Sequence, residues 1–258
     1  MEVDVNVMGT GKKTQRIDKI LGNLGYGSRS DLKKIVKQGR ITLNGSIVKD
    51  SGVQADPELD IIEVDGERVV YRKFIYLMLH KPQGVISATE DLRDRTVIDL
   101  LPDEYKVFAP FPVGRLDKDT EGLLLLTNDG GLAHDLLSPR KHVPKIYLAD
   151  CIGRIGEAEI AQFQVGVELD DGYVTMPAQL EILEYGEYDD GTVKSQISLT
   201  ISEGKFHQVK RMFESVGSKV TYLKRLSMGS LTLDASLPLG SFRELTEAEL
   251  EALTNLKK

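Results

Sequence analysis

The chain has 258 residues, 41% of them hydrophobic, and its 33 Lys and Arg against 40 Asp and Glu leave a formal net charge of -7. That length limits it to one or two domains with enough apolar mass for a core, and the acidic average argues against a protein coated throughout with phosphate-binding cations. A single cysteine, Cys151, excludes an internal disulfide; with no apolar run long enough to span a bilayer and no secretory h-region, a cytoplasmic location is expected.

Residues 1–15 read as a flexible tail ending in lysines. Their "GTGKKT" is not a phosphate-binding loop, because Asn6 and Lys13 stand where that motif needs a glycine and a hydroxyl residue. From Arg16 the pattern tightens. Ile17, Ile20, Leu21 and Leu24 are spaced for one helix, which Gly25 ends. Ser28 with Asp31 forms a short-acid capping box for a second helix carrying Leu32, Ile35 and Val36, ended by Gly39. Asn44-Gly45 and Asp65-Gly66 each sit between apolar-rich stretches and predict type I′ hairpins. Residues 16–70 thus form a small module of two helices and a small sheet.

The charge average conceals an asymmetry in this module. Between Gly11 and Lys49 there are ten Lys or Arg against two Asp, and after Asp50 the sign reverses. Lysine-rich helix faces are usually just solvated, but so dense a one-sign cluster repels itself, and a polyanion partner explains it better. The stretch "RIDKILGNLGYGSRSDLKKIVKQGRITLNGSIV" resembles an S4 domain, a small RNA-binding module, through both helices and the Asn-Gly hairpin. The resemblance implies that Arg16, Lys19, Arg29, Lys33, Lys37 and Arg40 lie along an RNA backbone, where shape and phosphate contacts dominate recognition.

A linker over 71–75 leads to the remainder, 76–258. "FIYLMLHKP" reads as a buried strand stopped by Pro82, and "GLLLLTNDG" as another, followed by a helix over "GLAHDLLSP". "KIYLADCIG", "VKSQISLTISEG" and "LTLDASLPLGSFREL" are strand candidates by composition. "KFHQVKRMFESVG" spaces Val209, Met212, Phe213 and Val216 for a basic amphipathic helix closed by Gly217, and "TEAELEAL" is an acidic helix capped by Thr246. The class is α+β: a small RNA-binding module, then a larger domain around a mixed, largely antiparallel sheet flanked by helices.

"GRLDKDTEGLLLL" at 114–126 sets Asp117 in the loop entering the leucine strand, with Arg115 on the same side of the extended chain. As a surface pair, Arg115 and Asp117 would contribute about 0–1 kcal/mol; as a carboxylate held at a cleft by a rigid strand, Asp117 would be a reactive group. The stretch is similar to the catalytic motif of the RsuA/RluB branch of pseudouridine synthases, matching at Gly114, Arg115, Leu116, Asp117, Thr120, Gly122 and Leu123. "KPQGVISA" (81–88), "KIYL" (145–148) and "SEGKFHQVKRMFESVG" (202–217) follow in the family's order, so the likeness spans nearly the whole chain from Arg16.

The resemblance implies isomerisation of an RNA uridine: N1 parts from C1′, the base turns, and C5 joins C1′, with no metal or organic cofactor. It makes Asp117 the essential carboxylate, nucleophile at the sugar or base on a glycal route, with Lys210 as its paired cation. It makes Tyr147 the ring that stacks on the base, and Arg115 the residue that fills the space of the extruded base or grips its phosphate. By residue type alone, Tyr147 is a core aromatic and Lys210 and Arg211 are solvated helix residues. His207 is expected to support structure rather than chemistry. Six basic against two acidic residues between Ile201 and Gly229 extend the expected RNA surface, with Lys81, Lys205 and Arg211 counted among its contacts.

"GKFHQVKRMF" is closer to the RsuA subgroup, which implies 16S ribosomal RNA, at uridine 516, as the target, free or in a partially assembled small subunit, and a monomeric enzyme. The alternatives are a 23S enzyme, a catalytically silent RNA-binding assembly factor, or a glycosidase using Asp117 with Asp119. Two acids so close in sequence seldom straddle a sugar, which weighs against the last.

Overall fold

The computed structural model describes residues 14–255; residues 1–13, with the hexapeptide and most of the expected tail, lie outside them. The chain divides into two compact units, Met1–Lys73 and Phe74–Lys258.

In the first unit, helices α1 (Ile17–Asn23) and α2 (Arg29–Lys37) precede strands β1 (Ile41–Leu43), β2 (Ser46–Ile47), β3 (Ile62–Val64) and β4 (Glu67–Arg68). Ser28 caps α2: its Oγ accepts from Asp31 N, and the Asp31 carboxylate accepts from Ser28 N. Both expected hairpins are present. Asn44-Gly45 (φ 50° and 77°) and Asp65-Gly66 (φ 55° and 81°) adopt the positive angles that a type I′ turn requires. Ile17, Ile20, Leu21, Leu32, Val36, Ile41 and Ile62 close one core beneath the helices. Contrary to the tail reading, Gln15 is ordered: Gln15–Arg16 pairs antiparallel with Gln54–Ala55.

The second unit is built on a sheet containing β5 (Tyr76–Lys81), β6 (Glu121–Thr127), β7 (Lys145–Ile152), β8 (Gln179–Glu187), β9 (Val193–Ile201), β10 (Lys219–Met228) and β11 (Phe242–Glu244), in the order β8-β9-β7-β10-β6-β5-β11. All neighbours are antiparallel except β10 and β6, which meet in parallel at Lys224↔Glu121 and Arg225↔Gly122. The leucine run is explained by this position. Leu124 and Leu126 enter one core with Leu77, Leu79 and Tyr147, while Leu123 and Leu125 enter another with Met78 and Leu132, so the strand is apolar on both faces.

Helices α3 (Gly130–Leu137), α4 (Glu157–Val165), α5 (Gln208–Ser215) and α6 (Glu247–Asn255) flank the sheet. The stretch 231–245 yields only short strands, Leu231–Thr232 and Phe242–Glu244, separated by turns. Strands β8 and β10 and helix α4 have no counterpart in the expectations above. β8 exposes much of its length and α4 lacks a strong apolar stripe, so neither carries a clear period.

Candidate active site

The loop of residues 114–120, which carries Asp117, is shaped from below by the "KPQGVISA" segment. Lys81 is fully buried, and its Nζ donates to the carbonyls of Pro82 (3.0 Å), Asp117 (2.9 Å) and Thr120 (2.9 Å). Ser87 Oγ donates to Leu116 O and accepts from Leu116 N, and Gly84 N donates to Lys118 O. Burial pulls the Lys81 ammonium down to about 8. This corrects the expectation that Lys81 contacts RNA: it has no exposed surface from which to reach a phosphate, and its donors are committed to Pro82 and the loop.

Beyond the loop, Gly122 (φ 109°) lets β6 run against β10, since a Cβ there would lie 2.2 Å from Arg225 O. The loop opens onto a small, solvent-open cleft of about 120 Å³. Its inner wall is made of buried side chains: Leu116, Lys145, Tyr147, Ile201, Val209, Leu223 and Arg225. Towards the mouth stand Arg115, Asp117, Lys205 and His207. Asp117, Arg115 and Tyr147 therefore share one cleft although Tyr147 lies 30 positions after Asp117 and 32 after Arg115.

Lys210 joins them from the next element. It projects from the first turn of α5, and its Nζ lies 3.1 Å from Asp117 Oδ2 and 2.6 Å from Asp119 Oδ1. Burial alone would lower the Lys210 pKa, but its hydrogen bonds and the charges of Asp119 and Asp117 raise it. Burial would raise Asp119, and Lys210 more than offsets this, holding its carboxyl below the usual range. Lys210 is therefore a fixed cation, and the two carboxylates share it instead of facing each other across a sugar.

His207, expected to support structure, has its Nε2 3.5 Å from Asp117 Oδ1. It takes a left-handed conformation (φ 49°) at the start of α5, and its ring stacks on Phe206 at 3.8 Å. Lys145 and Arg225 both line the cleft, and the sequence gives no sign of it: by residue type they are ordinary strand members. Gln208 braces this helix start, accepting from Lys205 N and donating to Glu203.

The remaining sequence-predicted contacts divide in two. Lys19, Arg29, Lys33 and Lys37 are exposed on the first unit, and Lys205 is exposed with its Nζ over the Tyr173 ring at 4.5 Å. Arg16 holds buried Asp18 (2.7 Å), Arg40 holds Asp65 (2.6 Å), and Arg211 holds Asp170 and Asp171, so part of each charge is already spent inside the protein.

The RNA pseudouridylate synthase family model matches residues 75–215, and that of the S4 domain matches residues 15–61. The chain belongs to the RNA pseudouridylate synthase family. It is 54% identical over 238 residues to YtzG of Bacillus subtilis (strain 168), an uncharacterized RNA pseudouridine synthase, with 92% of this chain and 98% of that one covered. Two other relatives are each 38% identical. One is ribosomal large subunit pseudouridine synthase B of Bacillus subtilis, covering 94% of this chain and 96% of that one. The other is ribosomal small subunit pseudouridine synthase A of Yersinia pestis, covering 92% and 97%. A crystal structure of a pseudouridylate synthase superposes with a TM-score of 0.62 at 37% identity, covering 92% of this chain and 99% of that chain. The chain is thus an isomerase with an RNA-binding S4 module, of the RsuA/RluB type, and the silent-factor and glycosidase alternatives fall away.

Proposed function

We propose that this enzyme isomerises a uridine of 16S ribosomal RNA, uridine 516 being the expected position, with Asp117 as its essential carboxylate. The observation that carries the reading is the Asp117–Lys210 pair set at the mouth of a cleft whose inner wall includes Tyr147. Lys210 holds Asp117 in place through its hydrogen bond, Tyr147 meets the flipped base, and Arg115, exposed at the edge, takes the strand or the vacated stack. Lys19, Arg29, Lys33 and Lys37, with Lys205 in the second unit, contact the backbone. Arg16, Arg40 and Arg211 contribute what their carboxylate partners leave.

The 16S assignment rests on "GKFHQVKRMF", with His207 and Lys210, and on the relative named as a small-subunit enzyme. The 23S reading is kept because the large-subunit relative is equally similar. The enzyme acts as a cytoplasmic monomer on ribosomal RNA, free or partly assembled. Tritium release from 5-tritiated uridine in 16S and in 23S transcripts tests the reading: release from 16S with wild type and loss by about 10³-fold or more with Asp117→Asn is expected. Release from 23S alone would overturn the 16S target, and activity retained in Asp117→Asn would overturn the assignment of the carboxylate.

A further inference from the structure

Arg225 is almost wholly buried, at 2% exposure, and lines the cleft. Its Nε donates to Leu123 O at 2.8 Å, but its Nη2 is buried with no hydrogen-bond partner. Two other buried side-chain atoms in the described residues lack partners, His80 Nε2 and Thr120 Oγ1; of the three, Arg225 alone belongs to a group that is always charged. Lys145 lines the same wall, and its Nζ donates to Val143 O at 2.9 Å. Burial, and then the charge on Arg225, pull its pKa down to about 8. Among the described residues neither cation has a carboxylate within ion-pair distance. A buried guanidinium donor left empty costs stability unless something that enters the cleft fills it.

We propose that Arg225, seconded by Lys145, receives a carbonyl oxygen of the flipped uracil and stabilises the negative charge that the base carries once it has left the sugar. This rests on the reading of Asp117 as the group that acts at the sugar. Asp117, with its carboxylate 27% exposed, stands with Lys210 and His207 towards the mouth, while Arg225 is buried opposite Tyr147 in the β7–β10 register. A nucleotide entering base first puts C1′ beside Asp117 and the pyrimidine against the buried wall.

The chemistry requires an acceptor of charge at that end. When the C1′–N1 bond breaks, its electron pair leaves with the base and spreads from N1 over O2 and O4. C1′ either gains a bond to an Asp117 oxygen, or C2′ gives up its proton to Asp117 and the pair of that C–H bond forms the glycal double bond. Both routes release the same uracil anion. In the return step C5 supplies the pair for its bond to C1′; Asp117 leaves as carboxylate or returns the proton to C2′. C5 then loses its proton and N1 gains one. No further reactant is needed. Lys210 is occupied by Asp117 and Asp119, which leaves the buried pair to meet the base. Hydrogen-bond donors fixed where charge develops act most strongly in such a water-poor site.

The test compares wild type with Arg225→Met, Arg225→Lys, Lys145→Met and Asp117→Asn in single turnover, on the ribosomal transcript that wild type modifies. Arg225→Met is expected to lower the cleavage rate about 10²- to 10³-fold, with RNA affinity within about threefold of wild type. Arg225→Lys should recover part of the loss, and Lys145→Met should show a smaller one. The deciding readout replaces the target with 5-fluorouridine, whose base is a better leaving group, and follows loss of the N1-linked nucleotide. The defects of Arg225→Met and Lys145→Met should shrink about tenfold or more, because less charge needs stabilising. Equal defects on both substrates, or unchanged rates, would overturn the proposal. If Arg225→Met does not fold, Arg225→Lys and Lys145→Met carry the same comparison. Activity in Asp117→Asn would instead overturn the underlying active-site assignment.

Discussion

The two units place their functional groups by different means. In the S4 unit, Lys33 and Lys37 occupy successive turns of one helix whose cap, Ser28 with Asp31, lies in the same short stretch, so local sequence brings the cations together. In the synthase unit, Asp117, Tyr147, Lys210 and Arg225 come from four separate elements, and only the sheet order makes them neighbours. A binding surface of the first kind tolerates substitutions one at a time. A cleft of the second kind depends on contacts far from the chemistry.

The sharpest break of this contrast is Gly122→Ala. The added methyl would meet Arg225 O at 2.2 Å in backbone that cannot recede, while φ 109° is itself strained for alanine. Loss of about 3 kcal/mol or more, or failure to fold the synthase unit, is expected in chemical denaturation; a Tm within a degree or two of wild type would refute the close approach. Next comes Lys210→Met, which leaves Asp117 and Asp119 without their shared cation. The isomerisation rate should fall about 10²-fold, about 3 kcal/mol, with Lys210→Arg restoring much of it; equal activity in the methionine variant would show that the ammonium does not hold the reacting carboxylate.

In the S4 unit, Lys33→Ala with Lys37→Ala should weaken RNA binding about tenfold and reduce the salt dependence of log K by about 1.5, while the rate at saturating RNA stays unchanged. A fall in that saturated rate would erase the division between binding and chemistry. The smallest expected effect concerns Lys145. Its folded pKa, about 8, lies below the ordinary 10.5 of the unfolded chain, so from pH 8 to 10.5 the unfolded state holds a proton that the folded state has released. The penalty of the buried charge is complete below pH 8 and relieved as pH rises. Stability of wild type relative to Lys145→Met should therefore rise by about 1 kcal/mol between pH 8 and 9. A flat difference would mean the lysine is not held in a charged, desolvated state.

The same contrast governs what the sequence discloses. The capped helix, the two Asx-Gly turns and the leucine strand were legible because each is decided by adjacent residues. The expectation for Asp117, Tyr147 and Lys210 comes from family motifs rather than from spacing, and the fold brings Asp117 and Tyr147 to one cleft with Lys210 beside Asp117. Lys81 was misplaced because a lysine before a proline gives no sign that three carbonyls will surround it. The place of Lys145 and Arg225 in the cleft wall has no sign in the sequence, because it depends on which strands become neighbours, and the parallel β6–β10 contact has no local signature. Strand β10 sets Lys224 and Arg225 side by side, with nothing to announce that Arg225 is the buried one.

Lys81 also bears on the order in which the molecule is made. Its ammonium belongs to β5 and grips carbonyls 36 and 39 residues downstream, so the reactive loop has no support until β5 has found β6. A nascent or partly unravelled chain has not yet gathered its cleft, and is in effect switched off. Regain of catalysis during refolding then serves as a clock for completion of the sheet centre, set by one amine sealed out of view.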